Sequence, residues 1–119
     1  MSSAAVMALA GRPAAHPNDL DRKRIERAIA RRKRYRYVSP SVERAEGGYR
    51  ITSPCCSRKV DPEGGIIDVA LLVHEPDSGR WQLFAKDHEA NRWSLHSIHD
   101  RMADLLEELN LDPERTFWQ

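Results

Sequence analysis

The chain has only two cysteines among its 119 residues, and they are adjacent, at Cys55 and Cys56. Adjacent thiols do not supply the spaced pairs of a secreted disulfide framework, so cysteine usage points to a reducing compartment and a cytoplasmic protein. Long apolar runs are missing as well. No segment approaches the roughly 20 apolar residues that cross a bilayer, so no membrane-spanning helix is expected. The opening MSSAAVMALA ends in an Ala8-Leu9-Ala10 that looks like a cleavage site. Its start carries no positive charge and its apolar stretch is too short for a signal peptide. A large net charge is also lacking: the balance is +1, which is atypical of a dedicated nucleic-acid binder. Walker and dinucleotide glycine patterns, a serine nucleophile elbow and HExxH are all absent. Carboxylates distant in sequence can still meet in a fold, but nothing in their spacing selects a pair. No catalytic residue and no cofactor are assigned.

What the chain does have is strong segregation of charge. Residues 22 to 36, RKRIERAIARRKRYR, hold nine Lys or Arg and one acid, Glu26, whereas residues 100 to 114 hold six acids and a single Arg101. The molecule is therefore electrically polarised rather than basic. Asn18 followed by Asp21 has the form of a helix N-cap with an acid three positions on, and Ile25, Ala28 and Ile29 recur at helical spacing up to about Arg32. At about 100° per residue, Lys23, Arg24, Arg27, Arg31 and Arg34 gather on one face, largely opposite that stripe. Arg32 falls within the apolar arc and is expected to snorkel at the helix end.

Beyond the helix the period changes to two. Arg34 to Val38, Val42 to Ala45 and Tyr49 to Thr52 read as short strands, with Gly47-Gly48 as a hairpin turn. The polar loop SPCCSRKVDPEGG follows. Ile66 to Glu75 is the strongest strand and is expected to be central, since IIDVALLV is apolar on both alternating faces apart from Asp68. Pro76-Asp77-Ser78-Gly79 turns it into Arg80 to Lys86, and Asp87 to Asn91 leads on to Arg92 to His96. Ser97 with Asp100 resembles a capping box for a second helix whose stripe is Ile98, Met102, Leu105, Leu106 and Leu109. Asn110 can end that helix, Asp112-Pro113 can open a last turn, and Phe117-Trp118 are expected to tuck into the core. The predicted fold is α+β: an antiparallel sheet of about five to six strands with an N-terminal basic helix and a C-terminal amphipathic helix. Residues 1–17 are expected to be a disordered leader and residues 18–119 a single domain.

Three stretches occur together and in order: RYRYVSPSVERAEGGYRITSPCCSRKVDPEGGIIDVALL, the paired Arg-Trp motifs of GRWQLFAKDHEANRW, and the ending DPERTFWQ. In this combination the chain resembles domain-of-unknown-function family three-zero-two-four, a group of short bacterial proteins. The resemblance implies a single bacterial domain and carries over no catalytic residue and no cofactor.

Two candidate sites emerge. The first is the basic helix, where Arg24, Arg27, Arg31 and Arg34 can pair with an anionic partner and Tyr35 and Tyr37 can stack on unpaired bases of RNA or single-stranded DNA. The competing reading is a solvated face, or one that meets the acidic second helix across the molecule or in a second copy. The second is the polar loop with Cys56, Arg58, Asp61 and, just beyond it, Asp68, where Arg58 can stabilise a Cys56 thiolate for redox chemistry. A structural loop is the alternative, with Asp61 and Asp68 bonding backbone amides. Cys55 and Cys56, with His74, His88, His96 and His99, supply donors for zinc, but their spacing argues against a shared metal. Trp81 and Trp93, in the echo Arg-Trp-Gln-Leu and Arg-Trp-Ser-Leu, are expected as core anchors beneath the second helix. These features favour a binding module with a protein partner or self-association, ahead of a nucleic acid and then of thiol or metal chemistry.

Overall fold

The computed structural model describes residues 15–32, 38–54 and 65–118. Helix α1 spans Asp19–Ile29. Its N-cap is Asn18, whose Oδ1 accepts from the Asp21 N–H at 2.7 Å while its Nδ2 donates to Asp21 Oδ2 at 2.9 Å. Asp19 and Asp21 in the first turn face the positive end of the helix dipole. Ile25, Ala28 and Ile29 are buried as the spacing predicts. The helix stops earlier than expected, at Ile29, and Arg32 beyond it is not a snorkelling surface residue. It is 3% exposed, and its guanidinium donates to Ile29 O and Val38 O, each at 2.8 Å. Its Cζ also lies 4.6 Å from the centroid of the Trp118 ring.

Five antiparallel strands follow as a meander in the order β1-β2-β3-β4-β5. They are β1 (Ser41–Ala45), β2 (Gly48–Pro54), β3 (Ile66–His74), β4 (Trp81–Asp87) and β5 (Arg92–His99). Residues 33–37 lie outside the described segments, so the strand expected from Arg34 has no counterpart to compare. In the β1–β2 hairpin Gly47 takes φ +70, the left-handed conformation that favours glycine. Gly48 is instead a close-approach residue: a Cβ placed there would lie 1.8 Å from the Leu72 carbonyl oxygen. β3 is central, as its apolar run predicts.

β5 corrects the sequence reading. It runs through Ser97 to His99, pairing Leu83 with Ser97, Gln82 with Ile98 and Trp81 with His99. Ser97 is therefore not a helix cap, and Ile98 is a strand residue with 48% of its surface exposed. Helix α2 begins later, at Met102, and ends at Leu111. Its N-cap is Arg101, which makes no side-chain capping bond.

Both helices pack on one face of the sheet and share a single core. Ile25, Ile29, Leu105 and Leu109 meet Tyr49, Ile51, Leu72 and Leu83 there, all but excluded from water. Asn110 Nδ2 donates to Ala28 O at 2.8 Å and ties the helices side by side. Trp81 joins this core, but Trp93 does not. A register shift between Leu83 and Phe84 pairs Trp93 with Lys86 and Leu95 with Phe84, on the face away from the helices. Trp93 is half-buried there, with Lys86 Nζ 5.0 Å from its ring centroid.

The chain closes through Asp112, which adopts φ 34, ψ 59 after α2. Its buried carboxylate accepts the N–H groups of Thr116, Phe117 and Trp118 at 2.8, 3.1 and 2.8 Å. This folds the tail back, so that Phe117 and Trp118 are each 2% exposed and Trp118 Nε1 donates to Leu109 O at 3.0 Å. Among the described residues, no helix is long and apolar enough to cross a membrane.

Candidate functional site

Of the predicted basic-helix residues, Arg24, Arg27 and Arg31 come together. With Lys23 they form one wall of a groove of about 1060 Å³ between α1 and α2, to which Leu20, Ala28, Ala103, Leu106, Glu107, Asn110 and Leu111 also contribute. Helical spacing explains the wall, since positions 20, 23, 24, 27, 28 and 31 recur every three or four residues. Leu20 and Leu111 are 73% and 61% exposed, so the groove combines cations with apolar surface in contact with water. Arg24 Nη1 sits 3.2 Å from Asp21 Oδ1. Among the described residues, Lys23, Arg27 and Arg31 make no ion pair. The acidic α2 thus lies beside the basic helix without neutralising it. Its own Asp104 is 3.8 Å from Arg101 Nε, and Arg80 lies 3.5 Å from Asp100. Arg34, Tyr35 and Tyr37 lie outside the described residues.

The loop candidates fare differently. Cys55, Cys56, Arg58 and Asp61 also fall outside the described residues, and the thiol reading rests on them. Asp68 belongs to β3. It is held by side chains of neighbouring strands, with Oδ1 3.5 Å from Arg50 Nε and Oδ2 3.1 Å from Lys86 Nζ. Among the described residues, no group of three His, Cys, Asp or Glu side chains is arranged to hold a metal ion.

Two polar clusters were not legible in the sequence. In one, Ser97 Oγ lies 2.9 Å from both His99 Nε2 and Glu108 Oε2, His99 Nε2 lies 2.6 Å from Glu108 Oε2, and His96 Nε2 lies 3.4 Å from Glu108 Oε1. A Ser-His-acid relay needs hydroxyl and carboxylate on opposite ring nitrogens. Here both meet the same nitrogen, so the cluster fastens β5 to α2 instead of activating Ser97. The other begins at His16, a residue expected in the leader. Its side chain is 6% exposed, and its ring packs on those of His74 and Trp81 at 4.7 and 4.6 Å between centroids. His16 Nδ1 is 2.7 Å from the Tyr49 hydroxyl, which accepts from the Asn18 N–H at 3.1 Å. Burial, and next the neighbouring His74, lower the His16 pKa from its ordinary 6.5, with Asp21 opposing. Neither cluster could be foreseen, because each joins residues from separate elements.

The groove is thus the described feature in which candidate residues converge with open volume. No curated protein and no solved structure matches the chain. The family model described as "Domain of unknown function (DUF3024)" matches residues 13–119, and the chain belongs to that family.

Proposed function

We propose that this protein is a small binding module that engages a protein partner through the groove between α1 and α2. One observation carries the reading: Lys23, Arg27 and Arg31, free of ion pairs among the described residues, border the same groove as the exposed Leu20 and Leu111. Protein partners use both properties, because burial of apolar surface supplies affinity and complementary charge supplies orientation and rate. Recognition of an amphipathic helix in an apolar groove has this character. Phosphate backbones use only the cations. Leu20, Leu106 and Leu111 offer them nothing, and Glu107 in the same groove repels them.

The test is fluorescence anisotropy with a labelled amphipathic helical peptide, leucines on one face with glutamates along one edge and lysines along the other, alongside labelled single-stranded RNA and DNA. The expected result is micromolar peptide binding that weakens with salt, and that is reduced at least about tenfold by Arg27→Glu with Arg31→Glu and by Leu111→Ser. Binding of RNA or DNA in a salt-dependent manner, with no binding of peptide, would overturn the proposal in favour of nucleic acid.

A further inference from the structure

We infer that the partner seated on this groove is a second copy of the chain, docked helical layer to helical layer about a two-fold axis. The inference rests on the protein-binding reading above and names its partner. The layer is divided by sign along its length. One side, α1, presents Lys23, Arg24, Arg27 and Arg31, and the other, α2, presents the exposed Asp104 and Glu107. Apolar surface from Leu20, Ala103, Leu106 and Leu111 lies between them.

This division decides among partners. A uniformly acidic surface satisfies the α1 wall but meets Glu107 and Asp104, whereas a basic one satisfies α2 but meets Lys23, Arg27 and Arg31. A partner that fits both must itself be split in sign with the same spacing and carry apolar surface at the divide. A second helical layer of this chain has that pattern. Rotation by 180° about an axis that runs along the groove, between the two layers, sets α1 of each copy over α2 of the other and brings the apolar strip of one layer against that of the other. A two-fold contact requires such a self-complementary patch. The net charge of +1 leaves little long-range repulsion to oppose the encounter.

The two contacts in such a dimer are equivalent, which makes a charge-swap experiment decisive. One variant carries Arg27→Glu and Arg31→Glu, giving an acidic α1 beside the acidic α2. A second carries Asp104→Lys and Glu107→Lys, giving a basic α2 beside the basic α1. Each variant opposes like charges in both contacts of its homodimer, but the mixture opposes unlike charges in both contacts of a heterodimer. Sedimentation velocity on the full chain is expected to show a concentration-dependent dimer that weakens with salt. Each variant alone should shift its dissociation constant upward at least about tenfold, and mixing them should restore dimer. Circular dichroism of each variant verifies that it is folded. A wild-type chain that stays monomeric at low salt and hundreds of micromolar, while still binding the amphipathic peptide, would overturn the second-copy inference and leave the protein-binding proposal standing. A monomer that binds no peptide would overturn both. A wild-type dimer unaffected by either variant would place self-association elsewhere and also overturn the inference.

Discussion

Replacing Asp112 should be among the most damaging single changes outside the apolar core, and the order of the substitutions follows from its geometry. The carboxylate accepts three backbone N–H groups, with Phe117 and Trp118 both bonded to Oδ2 and Thr116 to Oδ1. Hydrogen bonds to a charged group contribute about 1.5–3 kcal/mol each, and a buried N–H left without an acceptor costs about 1–3 kcal/mol. Phe117 and Trp118 are buried and Thr116 is only half-buried, so the Thr116 N–H can turn to water but the other two cannot. In Asp112→Asn the side-chain carbonyl can take the Oδ2 position and keep those two bonds, giving a loss of about 1–2 kcal/mol. Asp112→Gly loses every acceptor but tolerates φ 34, for a loss of about 3 kcal/mol. Asp112→Ala adds the steric cost of the left-handed backbone and reaches about 4 kcal/mol. Urea unfolding followed by tryptophan fluorescence measures the series, since Trp81 and Trp118 are both buried. An alanine variant within about 0.5 kcal/mol of wild type, the range of ordinary surface substitutions, would refute the account of the tail as carboxylate-anchored.

Gly48→Ala drives a Cβ to 1.8 Å from the Leu72 oxygen, so β2 must separate from β3. A loss of more than about 3 kcal/mol in urea unfolding is expected. Gly79→Ala meets no atom within 4 Å and strains only a φ of +74, so it should lose about 1 kcal/mol. Equal losses at the two positions would show that close approach is not the constraint at Gly48. Stability should also fall as the medium is acidified. Burial, then His74, lowers the His16 pKa, and burial, then Lys86, lowers that of His88. A histidine with a lowered folded-state pKa contributes stability that is present above its unfolded value of 6.5 and lost as pH falls through the folded value. The stability advantage of wild type over His16→Gln should therefore shrink below pH 6.5. An advantage that grows on acidification would reverse the assigned sign.

Features governed by local chemistry were legible in the sequence. The Asn18–Asp21 cap, the stripe of Ile25, Ala28 and Ile29, the turn at Pro76 to Gly79 and the burial of Phe117 and Trp118 each follow from residues close in the chain. Features set by pairing between strands were not. Ser97 and Asp100 have the spacing of a helix cap, and only register with β4 shows that β5 continues to His99. The face taken by Trp93 depends on the shift between Leu83 and Phe84, which no period-two count of β5 contains. One wall of the candidate groove could be read from helical angles alone. The other could not, because Ala103, Glu107 and Leu111 reach it only once Asn110 is fastened to Ala28, 82 positions away in the chain.

The basic run near the N-terminus is therefore several kinds of charge with different physical work. Arg32 is drawn inward, where two carbonyls and the Trp118 ring replace water around its guanidinium. Arg24 leans on Asp21 within the first turns of its own helix. Lys23, Arg27 and Arg31 remain along the groove, although α2 beside them carries acids. Exposed ion pairs contribute only about 0–1 kcal/mol, so leaving these cations without an ion pair among the described residues lowers the stability of the free chain very little. Charge held open beside exposed leucines still determines which surface can dock, because like charges oppose and unlike charges orient as water is expelled from the apolar centre. The folded core and the groove thus depend on different members of one arginine-rich stretch, and substitutions in the groove wall can change association while leaving the anchors of the fold in place.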